Sequence, residues 1–317
     1  MLIAATVVLL SFGFLLGLFI YNFMEGETFL RDCFDELQLS RRSLFALDAV
    51  WLANPNKSDI FISLTTTPAR IAWIAPCIKS LMQQSTAPAK IILNVPVHSI
   101  RENRDYVIPD FLRNLKALEI YECEDWGPAT KLIPTLLRPE IDGRIIVVDD
   151  DRIYPKSLLQ TLAAASNCKP MISIGLSGWV VPDDLVDRPT SAIANIMQIP
   201  PVPIRARRQN RLTRVDVLQG QSGYITSPRF FDLQAVQDYR ATPSAAFFVD
   251  DVWFSAHCRV QKFVCPSPRS SFQIKRSARY RNQNGLGFLN RGPGGNERRN
   301  NSIMIKHFAS TWMMGTS

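Results

Sequence analysis

Hydrophobic and polar residues follow three rhythms along this chain. From Leu2 to Tyr21 the positions are almost continuously apolar, and the first 24 residues carry no charge. At about 1.5 Å per helical residue this stretch reaches roughly 30 Å, one hydrocarbon thickness, and predicts a transmembrane helix over residues 1–24. It has neither the basic start nor the small-residue cleavage site of a signal peptide, so it reads as an uncleaved anchor. Residues 25–56 mix apolar and charged positions and end at the turn-forming "NPNKSD", which predicts a short helical stalk. From residue 57 short apolar runs alternate with helix-spaced ones. "DIFISLTTTPAR", "AKIILNVP", "LEIYEC" and "RIIVVDDD" read as strands, and "IAWIAPCIKSLMQQS", "IPDFLRNLKA" and "PATKLIPTLLR" as the helices between them. Such alternation predicts an α/β domain over residues 57–317, a mostly parallel central sheet flanked by helices, with its ligand site at the carboxyl ends of the strands.

The second half continues the pattern less regularly. "KSLLQTLAAAS" predicts a helix and "PMISIGLSGW" a strand, and residues 180–214 are irregular and rich in proline and arginine. "VDVLQGQSGYITSP" reads as strand and glycine-bearing loop, and "AFFVDDVWFSAHCRV" as a helix with Asp250 or Asp251 at its start, where a carboxylate is favoured. "NQNGLGFLNRGPGGNERRNN" predicts a mobile loop before a strand-like "SIMIKHF".

Composition adds bounds. With 317 residues, 46% hydrophobic and 20% charged, the chain has enough apolar mass for a substantial core. Its net charge of +8 is clustered: nine basic residues stand between Arg269 and Lys306 against Glu297 alone, and "RARRQNRLTR" (205–214) holds five arginines. Such clusters suit a polyanion, a pyrophosphate or an anionic bilayer, and equally a solvated basic face. The charge comes without aromatic-rich RNA-binding motif, zinc spacing or helix-turn-helix pattern, which disfavours nucleic acid. The six cysteines form no CxxC pair; Cys258 and Cys265 could bridge in an oxidising lumen. Gly13 and Gly17 make a GxxxG spacing that could join two anchors in a homodimer. Neither flank of the anchor carries nearby Lys or Arg, so membrane sidedness stays open.

The candidate chemistry starts at Asp149, Asp150 and Asp151, three like charges at the end of an apolar strand. Their repulsion costs free energy unless a cation or a hydrogen-bond network offsets it. Asp149 and Asp151, being alternate residues, are the natural pair to converge on Mg2+ or Mn2+ held jointly with a diphosphate. A turn whose aspartates cap the following helix is the alternative.

"IIVV" running into DDD, with "GPATKL" (127–132) before it and "VDDVWFSAH" about a hundred residues later, resembles the nucleotide-sugar glycosyltransferases of GT-A fold. "ISLTTTPARI" also resembles the first strand and loop of family-2-like and exostosin-like members. The resemblance spans roughly residues 57–310. It implies that Thr65, Thr66, Thr67 and Arg70 hold the nucleotide, and that Asp125 and Lys131 contact nucleotide and diphosphate. It further implies that Asp149 and Asp151 bind metal together with a late His307, with Asp150 nearer the ribose or donor sugar. Asp250 and Asp251 would supply the catalytic carboxylate; Gly220 and Gly223 in "QGQSGY" would let substrate approach the backbone closely, or serve equally as plain turn glycines. The implied partners are a nucleoside diphosphate sugar donor, a carbohydrate or lipid-linked acceptor, and the membrane. The chain lacks a QxxRW sequence, which argues against processive synthesis. Two other classes remain open on the residues alone: a nucleotidyltransferase or phosphotransferase using the same acidic site, and a noncatalytic membrane-tethered glycan- or polyanion-binding protein.

Overall fold

A computed structural model describes residues 2–274, 286–291 and 294–312. Its centre is an eight-stranded sheet of β1 (Phe61–Thr65), β2 (Lys90–Pro96), β3 (Leu118–Cys123), β4 (Ile145–Val147), β5 (Ser173–Gly175), β6 (Thr213–Val215), β7 (Tyr224–Thr226) and β8 (Lys262–Val264). The spatial order is β6-β8-β5-β7-β4-β1-β2-β3. β1, β2, β3 and β4 run parallel, β7 is antiparallel to β4 and β5, β8 is parallel to β5, and β6 closes the edge antiparallel to β8. Ile62, Leu64, Ile91 to Leu93 and Ile145 to Val148 are fully buried. Continuous burial is what a sheet covered on both faces demands, and it explains why these strands read as largely apolar runs, interrupted only by the buried Ser63 and Asn94.

The chain leaves β1 toward β2 and β3 on one side and returns to place β4 on the other. A crevice therefore opens above the carboxyl ends of β1 and β4, the place where open α/β sheets bind ligands. Register fixes what meets there. Phe61 pairs with Ile145 and Ser63 with Val147, so the loop after Thr65 and the aspartates after Val148 emerge side by side.

Around the sheet lie α1 (Leu2–Glu25), α2 (Phe29–Ser40), α3 (Leu44–Ala53), α4 (Ala75–Met82), α5 (Leu158–Cys168), α6 (Asp250–His257) and α7 (Asn300–His307). Two predictions change. The stretch predicted as a stalk is part of the globular body: Leu44, Leu47 and Trp51 of α3 enter the core, and Trp51 Nε1 donates to Pro88 O at 3.0 Å. The buried Asp48 carboxylate accepts from the backbone N–H groups of Lys116 (2.9 Å) and Ala117 (2.7 Å), tying α3 to the entry of β3. "SIMIKHF" is helical rather than extended, within α7, with Ser302, Met304 and Ile305 inward. Cys258 and Cys265 are free thiols; the Cys258 sulfur lies against Ser173 Oγ at 3.4 Å. Of the tail predicted as a mobile loop, residues 282–285 and 292–293 lie outside the described residues; the rest holds a helical turn, Leu286–Leu289, and a 3-10 turn, Asn296–Arg298, before α7.

Candidate active site

The triple aspartate is resolved by sending its carboxylates in different directions. Asp150 turns inward and is buried, accepting from Thr66 Oγ1 at 2.5 Å and pairing with Arg70 at 2.9 Å. Asp151 meets the other arm of the same guanidinium at 3.0 Å, and Asp149 meets Lys131 Nζ at 2.6 Å. Burial raises the Asp150 pKa to about 6, against the opposing pull of Arg70. Tyr154 holds the turn from below. Its hydroxyl accepts from Asp149 N at 2.8 Å and lies within 3.4 Å of the carbonyls of Asp149 and Gly220.

The opposite wall is the start of α6. Asp250 and Asp251 are its first two residues, and neither side chain caps the helix, for position 249 before them is Val. Both face Lys131 instead, at 2.5 Å from Asp250 Oδ2 and 3.6 Å from Asp251 Oδ1. The Asp250 contact is close but not aligned as a hydrogen bond, so Oδ2 is a buried carboxylate oxygen without a hydrogen-bond partner among the described residues. Asp251 Oδ1 accepts from Gly220 N at 3.0 Å. Burial raises the Asp251 pKa to about 7; Lys131 opposes the rise, and Asp250 and Asp149 add to it. For Lys131 burial alone would pull the pKa down, but Asp149, Asp250 and Asp251 together hold it well above the ordinary lysine range.

Lys131 reaches this position differently from the sequence expectation. "PATKLIPTLLR" is not one helix: it is a 3-10 turn, Gly127–Lys131, followed by a single helical turn, Ile133–Leu136. Lys131 ends the first piece, so its stabilisation comes from carboxylates and not from an anion at a helix start. A buried polar network sets its backbone. Ser63 Oγ donates to Lys131 O at 2.6 Å and lies 2.7 Å from Thr135 Oγ1, and Asn94 Nδ2 donates to both hydroxyls at 3.1 and 3.0 Å. Polar residues inside the apolar strands β1 and β2 were the sequence signal for this network.

These walls enclose a cavity of about 960 Å³, lined by Thr65, Thr66, Thr67, Arg70, Asp125 and Lys131 with all five aspartates of the two acidic motifs. Eleven of the thirteen sequence candidates therefore meet in one cleft. Thr65 Oγ1 is engaged with Asn94 O at 2.8 Å, and both Asp125 oxygens accept backbone N–H groups at 2.7 Å, from Ile100 and Gly127, so Asp125 shapes the wall. Gly223 is absent from the lining. It opens β7 at φ +86°, and a Cβ there would stand 2.9 Å from Leu158 Cδ1, which makes it a packing glycine. Gly220 is the glycine at the site, where a Cβ would strike Lys131 Nζ and Asp149 Oδ1. His307 also stays out, on the exposed last turn of α7 with its ring 4.8 Å from that of Phe308, because the helix turns it outward.

Arg101 was not singled out from the sequence. It lies in the loop between the short strands His98–Ser99 and Arg104–Asp105, lines the cavity, and forms no hydrogen bond or ion pair among the described residues. Burial lowers its pKa, with Arg70 adding to the effect. A desolvated, unpaired guanidinium facing a cleft is poised for an anion.

No group of three or more His, Cys, Asp or Glu side chains suited to a metal occurs among the described residues. Asp149 and Asp151 offer hard carboxylate oxygens partly exposed to the cleft, each paired with a cation, Lys131 and Arg70, and Asp250 Oδ2 lies 2.5 Å from Lys131 Nζ.

No family model matches the chain, and no curated protein matches it. Among solved structures it is similar to residues 1–349 of TarS from S. aureus, at 13% identity and a TM-score of 0.45, over 68% of this chain and 60% of that one. The same TarS segment in complex with UDP-GlcNAc matches at 13% identity and 0.45, over 69% and 59%. GalNAc-T7 crystallised with UDP, GalNAc and Mn2+ matches at 12% and 0.41, over 70% and 43%. The chain thus spans about 60% of the TarS segment's length.

Proposed function

We propose that this protein is a membrane-anchored, metal-dependent glycosyltransferase of GT-A type that moves a sugar from a nucleoside diphosphate sugar to a hydroxyl acceptor on a glycan or lipid-linked carbohydrate. The observation that carries the reading is the convergence of Asp149, Asp150, Asp151, Asp250 and Asp251 on Lys131 and Arg70 in one cleft at the strand ends, with the unpaired Arg101 on its wall. Carboxylates alone would repel a diphosphate. Interleaved with three cations, they suit a ligand that brings both an anion and a metal. Asp149 and Asp151 would hold the divalent cation, which supplies charge neutralisation and Lewis-acid assistance to the departing phosphate.

The chain's own groups divide the remaining work. Arg101 and Arg70 supply the fork-shaped donors that suit phosphate oxygens. Buried Asp150 and Thr66 fix Arg70 and so the floor of the site. Asp250, the deeper of the late pair, is the counter-ion that keeps Lys131 charged. Asp251 is more open to the cleft and is positioned by Gly220 N. It accepts the acceptor's hydroxyl proton as that oxygen attacks the anomeric carbon. α1 spans the membrane and holds the cleft near the bilayer.

The test is Asp251→Asn. A base role predicts unchanged binding of nucleoside diphosphates, scanned as a panel with Mn2+, and transfer lowered by roughly 10²- to 10⁴-fold. Wild-type turnover in that variant overturns the assignment. Pyrophosphate as product, in place of a nucleoside diphosphate, would make the enzyme a nucleotidyltransferase.

A further inference from the structure

The irregular arginine-rich region between β5 and β6 has no part in the cleft, and its geometry is unusual for a water-facing surface. Within it the short helix Ala192–Met197 turns Asn195 inward, almost fully buried, and presents Ile193, Ile196 and Met197 outward at 72, 63 and 67% exposure, with Ile199 at 51% just beyond. A helix on a soluble domain does the reverse. The place of this patch gives the reason. Asn195 Nδ2 donates to Met24 O at 3.3 Å, Arg205 donates to the carbonyls of Met24 (3.0 Å) and Glu25, and Arg207 donates to Glu27 O at 2.6 Å. The Arg208 guanidinium sits 4.0 Å from the Phe23 ring centroid and donates to Asn195 Oδ1 at 2.6 Å. The inverted helix is therefore clamped to the last turn of α1.

Depth follows from length. α1 has 24 residues, about 36 Å of helix, against a hydrocarbon layer of about 30 Å, so a spanning α1 places its Tyr21–Glu25 end among lipid headgroups. A segment bonded to Met24 shares that level. Leu30 and Phe34, one turn apart on α2 and both exposed, continue apolar surface beside the same exit. The exposed Arg211 and Arg214, further along the same arginine-rich stretch, supply the charge that anionic headgroups match.

We propose that residues 192–199 form a second membrane contact, an interfacial wedge whose isoleucines and methionine enter the acyl boundary while the neighbouring arginines hold anionic headgroups. The occupant of the patch is the bilayer surface of the membrane that α1 crosses. The inference rests on the anchor reading of α1. It gives the domain a fixed tilt and rotation relative to the membrane, which a single flexible tether would not.

The experiment uses the full chain in vesicles of phosphatidylcholine with phosphatidylglycerol, doped with a phosphatidylcholine carrying a photoactivatable group on its acyl chain, and maps lipid adducts by peptide mass spectrometry. Adducts on both α1 and the peptide bearing residues 192–199 are expected. In the combined variant R211Q/R214Q, or in pure phosphatidylcholine, adducts on 192–199 should drop by roughly fivefold or more while those on α1 persist. Adducts on α1 with none on 192–199 overturn the wedge and leave the anchor standing; absence from both overturns the anchor as well. Crosslinks from 192–199 to a second copy of the chain overturn the wedge in favour of a dimer contact. Ile196→Ser, whose side chain is exposed in the folded domain, should melt at the wild-type temperature and lose adducts at 192–199, which separates lipid contact from folding.

Discussion

Two glycines three residues apart separate catalysis from folding at the scale of single residues. Gly220 closes on Lys131 and Asp149, whereas Gly223 holds a left-handed backbone against Leu158. Gly220→Ala is expected to lower transfer in the folded fraction on the order of 10-fold or more, with some loss of melting temperature, because it wedges the buried Lys131–Asp149 pair apart. Gly223→Ala should affect folding alone, costing roughly 1–2 kcal/mol through its φ while donor binding and transfer survive in the folded fraction. Side-by-side urea titrations and rate measurements distinguish them. The sequence showed the aspartates, because three adjacent carboxylates stand out in any apolar context. It could not show that Asp150 turns inward or that Tyr154 pins the turn, since both depend on Thr66, Arg70 and Gly220 arriving from elsewhere. Arg101 stayed hidden for a related reason: the property that marks it is the absence of a partner among the described residues, which exists only once the loop folds.

Elements built from long buried runs were legible, and those built from punctuation were not. β2 and β3 match their predicted runs: β2 is buried along almost its whole length, and β3, at the sheet edge, is only partly buried and carries Glu119 and Glu122. The helices came out shorter and broken. Pro128 and Pro134 fit first turns but leave the stretch between them as a 3-10 piece and one helical turn, and this break is what aims Lys131 at the aspartates. "SIMIKHF" misled because a run of seven residues is too short for periodicity to separate strand from helix; contacts with α6 and with Ser244–Phe248 settle it. The central strand β4 supports both walls of the crevice, so damage there should be felt throughout. Ile146, fully buried between β1 and β7, is expected to cost about 2–5 kcal/mol when cut to Ala, read as a lower denaturation midpoint at unchanged slope.

For the molecule as a whole the sequence placed the long apolar N-terminal helix and the α/β order but misjudged what joins them. The predicted stalk is amphipathic enough to be either a tether or a packed layer, and only the distant partners Pro88, Lys116 and Ala117 decide for packing. Global stability also carries a pH term from a residue outside the cleft. His257 stacks among Trp253 and Phe308, its Nε2 is buried without a hydrogen-bond partner among the described residues, and burial lowers its pKa from 6.5 to about 4. Above pH 6.5 folded and unfolded chains are both neutral there. As pH falls from 6.5 toward 4 only the unfolded chain takes the proton, so this residue withdraws up to about 3 kcal/mol of stability. Replacing it with Phe keeps the ring and removes the proton site: the variant should match the wild type at pH 7.5 and unfold at higher denaturant at pH 5. Lys131 and Arg70 extend the same reasoning to the cleft. They already stand as internal counter-ions to its carboxylates, so folding has no need of a cation from outside. On the metal-dependent reading proposed above, a chelator should abolish turnover while leaving the melting temperature where it was, so that a shortage of metal would silence the protein without unfolding it.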